Sequence, residues 1–237
     1  MKKLLTAAAM LAAVLMSAPV GADIWDETTD GGGDAGDFPV GGFQTVTSST
    51  LFDQIEGNLQ DNGGASDVDA YLITINNADW DIEVTAGSET DTRLWLFDTA
   101  GNLLMFNDDS SQSGAALHSL LSDTATFPGA DGLVNSPIDP AVGDQVIVVV
   151  NGFADDALDA NGVNLADSGN SFDGLHGINP ASDGVFASWE GAVNAGGTYT
   201  LALSGANFGT LVAIPEPTSL GLLALGLGCV VVRRRRK

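Results

Sequence analysis

The stretch that decides the fold is Val146-Ile147-Val148-Val149-Val150, five consecutive β-branched residues. Such side chains favour extended backbone, and an apolar run without alternation is typical of a strand that is buried on both faces. The segments Tyr71–Ile75 and Leu94–Phe97 are also apolar on both faces. The sequence therefore predicts a sheet that has buried strands at its centre.

Other segments show the alternation of a strand with one buried face. Trp80, Ile82 and Val84 alternate with polar residues, and Tyr199–Leu203 has the same period of two. The remaining strand candidates are Leu51–Leu59, Leu103–Phe106, Leu117–Leu121 and Phe186–Trp189. Gly, Asn and Asp separate these segments, as expected of turns. We therefore predict an all-β fold, a single jelly-roll-like β-sandwich of eight or nine strands, with residues 154–183 as a polar surface loop.

The charge of the chain is strongly negative and unevenly distributed. The 237 residues include 8 Lys or Arg and 31 Asp or Glu, a formal net charge of −23. Between residues 23 and 213 there are 30 acids, Arg93 is the one basic residue, and the formal charge is −29. This excludes nucleic-acid binding, which needs a basic surface. One Cys in the chain excludes a disulfide framework and a Cys-rich zinc site.

The N-terminus has the three parts of a secretory signal peptide. Lys2 and Lys3 precede an apolar run from Leu4 to Met16, and small residues occupy the −3 and −1 positions before a cleavage site after Ala22. We assign residues 1–22 to a signal-peptide helix. Residues 23–32 are rich in Gly and acids, and we interpret them as a mobile leader that precedes a domain at 33–212.

The C-terminus has the features of a second targeting signal. Pro215-Glu216-Pro217 precedes the apolar segment 220–232, and the chain ends in Arg233-Arg234-Arg235-Arg236-Lys237. The apolar segment is a candidate transmembrane helix within a tail at 213–237, and the basic cluster is expected to stay in the cytoplasm. Together these features resemble the PEP-CTERM sorting signal of Gram-negative bacteria. The resemblance implies transient anchoring in the inner membrane, cleavage near Pro215-Glu216-Pro217 by an exosortase, and a final location at the cell surface or outside the cell.

The order of motifs in the body resembles a second family. The motifs are Gly33-Asp34-Ala35-Gly36-Asp37-Phe38-Pro39, Asp67-Val68-Asp69-Ala70-Tyr71, Asp91-Thr92-Arg93-Leu94-Trp95-Leu96-Phe97-Asp98 with Gly101, Asn107-Asp108-Asp109, the strand Val146–Val150 and Gly197–Leu203. In this order they are similar to the bacterial pre-peptidase C-terminal (PPC-like) domain. That resemblance covers most of residues 33–206. It implies a β-sandwich accessory module without chemistry of its own.

Acidic residues near strand ends suggest a calcium site. Ca²⁺ takes six to eight oxygen ligands, often in loops that contain Gly. The candidate ligands are Asp34, Asp37, Asp67, Asp69, Asp91, Asn107, Asp108 and Asp109. The competing interpretation is turn chemistry, in which Asp and Asn side chains bind nearby backbone amides. Asp159–Gly162 is similar to the middle of an EF-hand loop, but Ala157 stands where the first ligand should be.

No catalytic constellation emerges from the residues, and we do not expect an enzyme. His118 and His176 lack a supporting Gly-x-Ser-x-Gly motif and are interpreted as surface or turn residues. Arg93 is expected to form a structural ion pair, with a sugar acid as its alternative partner. Trp189 is the best candidate for an exposed, sugar-stacking aromatic side chain.

The sequence thus predicts an exported, exosortase-processed structural or adhesive protein, associated with exopolysaccharide or biofilm. Signal peptidase and the exosortase are its expected partners during export. One alternative is a carbohydrate-binding, lectin-like module without catalysis. A second alternative is a secreted hydrolase. Glycan binding without turnover would favour the former, and turnover that depends on a specific carboxylate pair would favour the latter.

Overall fold

The structure is a computed structural model, and it describes residues 23–38, 42–45, 52–60, 67–88, 91–111, 117–127, 132–153, 155–166, 174–191 and 196–208. Within these ranges it contains fourteen β-strands and no helix, which confirms the all-β prediction. The strands are β1 (Asp23–Asp26), β2 (Phe52–Leu59), β3 (Val68–Ile75), β4 (Asp81–Gly87), β5 (Thr92–Asp98), β6 (Leu103–Asn107), β7 (Leu120–Ser122), β8 (Leu133–Val134), β9 (Gln145–Gly152), β10 (Ala157–Leu158), β11 (Leu175–His176), β12 (Ser188–Trp189), β13 (Gly197–Ser204) and β14 (Ala206–Phe208).

Twelve of the strands form one sheet. Its order is β7-β4-β13-β2-β14-β3-β9-β5-β6-β11-β8, and β1 pairs with β2 in parallel. Strands β10 and β12 form a separate two-stranded sheet. Each of the nine predicted strands overlaps an observed one, but the predicted total of eight or nine is too low. The additional strands β1, β8, β10, β11 and β14 have only two to four residues, too few for a visible period of two.

The sheet folds over on itself around one main core. Ile82 of β4 and Leu201 of β13, from one end of the strand order, share a buried cluster with Val148 of β9 and Leu96 of β5. The inner faces of the two halves therefore pack against each other, as in a two-layered β fold.

The central strands are buried on their outer face as well. Ile147 and Val149 of β9 belong to a second cluster, together with Phe38, Leu165 and Phe186 from the covering segments. Because layers lie on both sides of β9, every residue from Val146 to Val150 is buried, which explains the unbroken apolar run.

Two segments differ from their predicted roles. Residues 154–183 were expected to form a polar surface loop, but they contain β10 and β11, and Ala157 and Leu165 are fully buried in the second cluster. Residues 23–32, predicted to be a mobile leader, contain β1, whose Trp25 is 7% exposed. Apolar residues at isolated positions in polar sequence hold both segments against the sheet.

The two predicted terminal helices, at residues 1–22 and 220–232, lie outside the described residues. Within the part of the chain that the structure describes, no helix has the length and hydrophobicity needed to cross a membrane.

Candidate metal centre

The topology brings most of the predicted ligands to one end of the sheet. Strands β3 and β5 both run antiparallel to β9, so both begin beside its last residues, where Val68 is opposite Asn151 and Thr92 is opposite Gly152. Strand β6, antiparallel to β5, ends at the same place. The acids that precede β3 and β5, and those that follow β6, therefore collect on the two sides of the end of β9.

The first group of acids consists of Asp34, Asp67 and Asp69, which we call the acid pocket. One carboxylate oxygen from each lies within 4.8 Å of the other two. Asp69 is 0% exposed, and among the described residues its Oδ1 atom has no hydrogen-bond partner. A buried carboxylate oxygen without a hydrogen bond or cation is costly, so this atom is a candidate metal ligand. Asp37 lies outside the trio, although the charge of Asp34 acts on it.

The two tyrosines of the chain connect the acid pocket to Glu27, a residue that the sequence prediction missed. Tyr199 OH donates to Asp69 Oδ2 at 2.7 Å, and the hydroxyl oxygens of Tyr199 and Tyr71 are 2.6 Å apart. Tyr71 OH donates to Glu27 Oε2 at 2.9 Å. Glu27, Tyr71, Tyr199 and Asp69 are all buried, so the chain of hydrogen bonds is shielded from water.

The number of available protons limits the hydrogen bonds that can form between Glu27 and Asp69. Each hydroxyl holds one proton, while the three contacts from Glu27 to Asp69 need three. With both carboxylates ionised, Tyr71 and Tyr199 would each point a proton outward and would face each other without a proton between their oxygens. Hydrogen bonds at all three contacts therefore require a proton on one of the two terminal carboxyl groups.

Gly57 makes room for this arrangement. It lies directly opposite Tyr199 in the pairing of β2 with β13. A Cβ atom on residue 57 would overlap the hydroxyl and the ring of Tyr199. The Tyr199 side chain can therefore lie across β2 and reach Asp69 because residue 57 has no side chain.

Burial and mutual repulsion hold protons in this region. Desolvation raises the pKa of Glu27 to about 7, and the charges of Asp34 and Asp67 add to the effect. Desolvation also raises the pKa of Asp67 to about 6, helped by Asp34 and Asp37. The pKa of Asp69 is raised well above its usual value by desolvation and then by the charge of Glu27. Among the residues in contact here, no cation offsets these charges.

These shifts predict how the metal-free protein responds to pH. A carboxyl whose pKa is raised on folding stabilises the fold fully below its unfolded pKa, near 4, and that contribution is lost as pH rises through the folded pKa. We therefore expect the midpoint of thermal unfolding in chelator to fall between about pH 5 and pH 8, the window set by pKa values of about 6 and 7 for Asp67 and Glu27. Differential scanning calorimetry across this range measures it, and a rising midpoint would contradict the assignment.

The second group, the Arg93 cluster, consists of Asp91, Asp108 and Asp109 beside Arg93. One carboxylate oxygen from each acid lies within 4.8 Å of the other two. Arg93 Nη2 donates to Asp108 Oδ2 at 3.0 Å, and Nη1 donates to Asp156 Oδ1 at 2.6 Å. The structural ion pair predicted for Arg93 is therefore observed. Despite this pairing, desolvation raises the pKa of Asp108 to about 6.

Asn107 serves the backbone rather than either acid group. Its Oδ1 accepts from Leu120 N at 2.8 Å, and its Nδ2 donates to Gly174 O at 2.7 Å and to Asp109 O at 2.9 Å. Asn107 is a predicted calcium ligand, but its amide group instead forms these three hydrogen bonds, which link three segments of the backbone. Asp159 is a similar case, since its Oδ1 accepts from Asn161 N and Val163 N, which supports the turn interpretation.

Two further expectations need correction. His118 and His176, interpreted as surface or turn residues, are both buried. His176 lies in β11, opposite Phe106 of β6, so it belongs to the interior of the sheet. Trp189 is half-buried. Its Nε1 donates to Phe38 O at 2.8 Å and its ring packs at 4.8 Å from that of Phe186, an arrangement that contributes to the fold.

Comparison with known proteins identifies the tail. Residues 213–236 match the family model of the PEP-CTERM protein-sorting motif, which confirms that part of the sequence prediction and indicates an exported protein processed by an exosortase. No curated protein and no solved structure matches the chain. These comparisons give no support to the PPC-like resemblance of residues 33–206, which stays a prediction.

Proposed function

We propose that this is an exported structural protein of the cell surface or extracellular matrix, and that Ca²⁺ bound in the acid pocket holds its fold together. The observation that carries the proposal is Asp69 Oδ1, a fully buried carboxylate oxygen without a hydrogen-bond partner among the described residues, next to Asp34 and Asp67. A cation at this point would supply the missing partner and relieve the repulsion among the three acids.

The donor set favours calcium over other metals. All three side chains offer carboxylate oxygens, the ligands of hard cations, and the group includes no His or Cys. Calcium tolerates irregular geometry and accepts water molecules in its remaining positions, whereas Mg²⁺ demands a near-ideal octahedron. Export also fits, because extracellular calcium modules need affinities of only about 10⁻⁴ to 10⁻³ M.

The hydrogen bonds from Glu27 through Tyr71 and Tyr199 would orient the Asp69 carboxylate for calcium binding. Tyr199 holds Oδ2, and Oδ1 is left for the metal. Hydrogen bonds of this kind fix the direction of a ligating carboxylate and are part of a metal site.

The association with exopolysaccharide rests on the resemblance of the tail to the PEP-CTERM sorting signal, which implies a bacterium that makes such polymers. Processing removes the basic tail, so the mature chain carries Arg93 and the 30 acids between residues 23 and 213. A chain of this charge repels itself on compaction, and a divalent cation lowers that repulsion. The sorting motif and the strongly negative charge of the mature chain together support a structural, calcium-dependent role.

The experiment that tests the proposal is performed on protein recovered from the culture medium. Its intact mass should correspond to a chain that begins at Asp23 and lacks Arg233–Lys237, and elemental mass spectrometry should find calcium bound to it. A secreted species that retains the basic tail would contradict the processing. Protein purified without chelator that holds no calcium, and takes up none from millimolar solution, would contradict the calcium site.

A further inference from the structure

The Arg93 cluster contains a second buried carboxylate oxygen that lacks a partner. Asp108 is 0% exposed, and its Oδ2 atom binds Arg93. Among the described residues its Oδ1 atom has no hydrogen-bond partner. Asp91 and Asp109 each bring a carboxylate oxygen within 4.8 Å of Asp108 and of each other. The free oxygen therefore lies in a group of three acids, as Asp69 Oδ1 does in the acid pocket.

Arg93 cannot neutralise this group alone. It is 4% exposed, and its guanidinium carbon lies 5.0 Å from the ring centroid of Phe153 and 5.8 Å from that of Phe106. Both Nη1 and Nη2 are already bound, to Asp156 and Asp108. One positive charge thus faces four carboxylates, those of Asp91, Asp108, Asp109 and Asp156.

The positions of the acids favour a cation that joins separate elements. Asp91 precedes β5, and Asp108 and Asp109 follow β6, so the group joins the start of one strand to the end of its neighbour. The backbone around it is fixed, since Ser119 Oγ donates to Asp108 O at 2.6 Å and Ser110 N donates to His118 O at 3.0 Å. Three carboxylates on a fixed frame provide three to five oxygens for calcium, since Asp108 Oδ2 is bound to Arg93, and water completes the shell.

We propose that Asp91, Asp108 and Asp109 form a second calcium site, separate from the acid pocket. Strand β9 lies between β3, which contains Asp69, and β5, which Asp91 precedes. Arg93 holds Asp108 from the side of Oδ2 and leaves Oδ1 for the ion. This proposal does not depend on the acid pocket, because the two groups share no ligand.

Calorimetric titration of the mature protein with Ca²⁺ tests this inference. The wild-type protein is expected to bind two ions. The variant Asp91→Asn/Asp109→Asn should bind one fewer, because it removes two ligand charges and leaves the Asp108–Arg93 ion pair in place. The matched variant Asp34→Asn/Asp67→Asn should also lose one ion, from the acid pocket. Asp79→Asn/Asp81→Asn, which changes two exposed acids, should retain the wild-type number.

The outcomes separate the two sites. If Asp91→Asn/Asp109→Asn unfolds cooperatively and binds as many ions as the wild type, the second site is wrong. If only Asp34→Asn/Asp67→Asn retains the wild-type number, the acid pocket is wrong and the second site stands. Circular dichroism spectra that match the wild type show that a lost ion is not the result of a lost fold.

Discussion

Calcium is expected to raise the midpoint of thermal unfolding of the mature protein by about 5 to 10 °C over a chelated sample of equal ionic strength. A ligand at one hundred times its dissociation constant stabilises the folded state by about 2.7 kcal/mol. In a domain of this size each kcal/mol corresponds to about 2–4 °C. The gain arises because the ion is bound by acids that the fold brings together, Asp34, Asp67 and Asp69, and by few groups in the unfolded chain.

Variants show where this stabilisation originates. Asp34→Asn/Asp67→Asn should remove the part of the calcium-dependent shift that comes from the acid pocket, while Asp79→Asn/Asp81→Asn should keep the whole shift. In chelator the first variant should melt no lower than the wild type, because fewer charges then repel each other around Asp69. Equal midpoints for the wild type in calcium and in chelator would overturn the prediction.

Substitution of Arg93 by Met is expected to lower the free energy of unfolding by about 3–5 kcal/mol, because one partner of a buried ion pair is removed. Arg93 is 4% exposed and binds Asp108, which is 0% exposed. Without the guanidinium, the Asp108 carboxylate loses its one cation and the hydrogen bond at Oδ2. Urea unfolding followed by tryptophan fluorescence measures the loss.

A second substitution separates charge from packing. Arg93→Met/Asp108→Asn should recover part of the loss, since no uncompensated carboxylate is left at position 108. Arg93→Lys should be intermediate, because an ammonium group keeps the charge but cannot span Asp108 and Asp156 as the planar guanidinium does. A loss below about 1 kcal/mol for Arg93→Met would place the pair among weak surface ion pairs and contradict the argument.

The fold could be predicted where its determinants are local. Strands of five or more residues, such as β4 and β9, show their burial in the sequence as alternation or as an unbroken apolar run. Short strands such as β10 and β11 do not, because their extended backbone depends on partners far along the chain. The outer layer on β9 was missed for the same reason.

The candidate site could be predicted in part. Acids at strand ends are visible in sequence, and six of the eight candidates lie in the two groups. Glu27 was not found, because it stands in a Gly-rich acidic stretch that resembles a leader. Tyr71 and Tyr199 were interpreted only as strand residues, although a buried tyrosine hydroxyl needs a partner and the chain has just two tyrosines. The contact between the two tyrosines depends on the pairing of residue 199 with residue 57, and no local sequence pattern predicts that pairing.

The position of β13 also bears on when the protein can fold during export. Strand β2, near the start of the mature chain, pairs along most of its length with β13, near its end, and β4 lies on the other side of β13. Contacts between such distant segments form late, because a long loop must close first. The sheet can therefore be completed only after residue 204 has crossed the membrane, when little more than the sorting tail still has to follow. Strands β3, β5 and β9 can pair with one another before then. Strands β2 and β4, however, lack the strand that joins them, so the emerging chain exposes their unpaired edges during translocation.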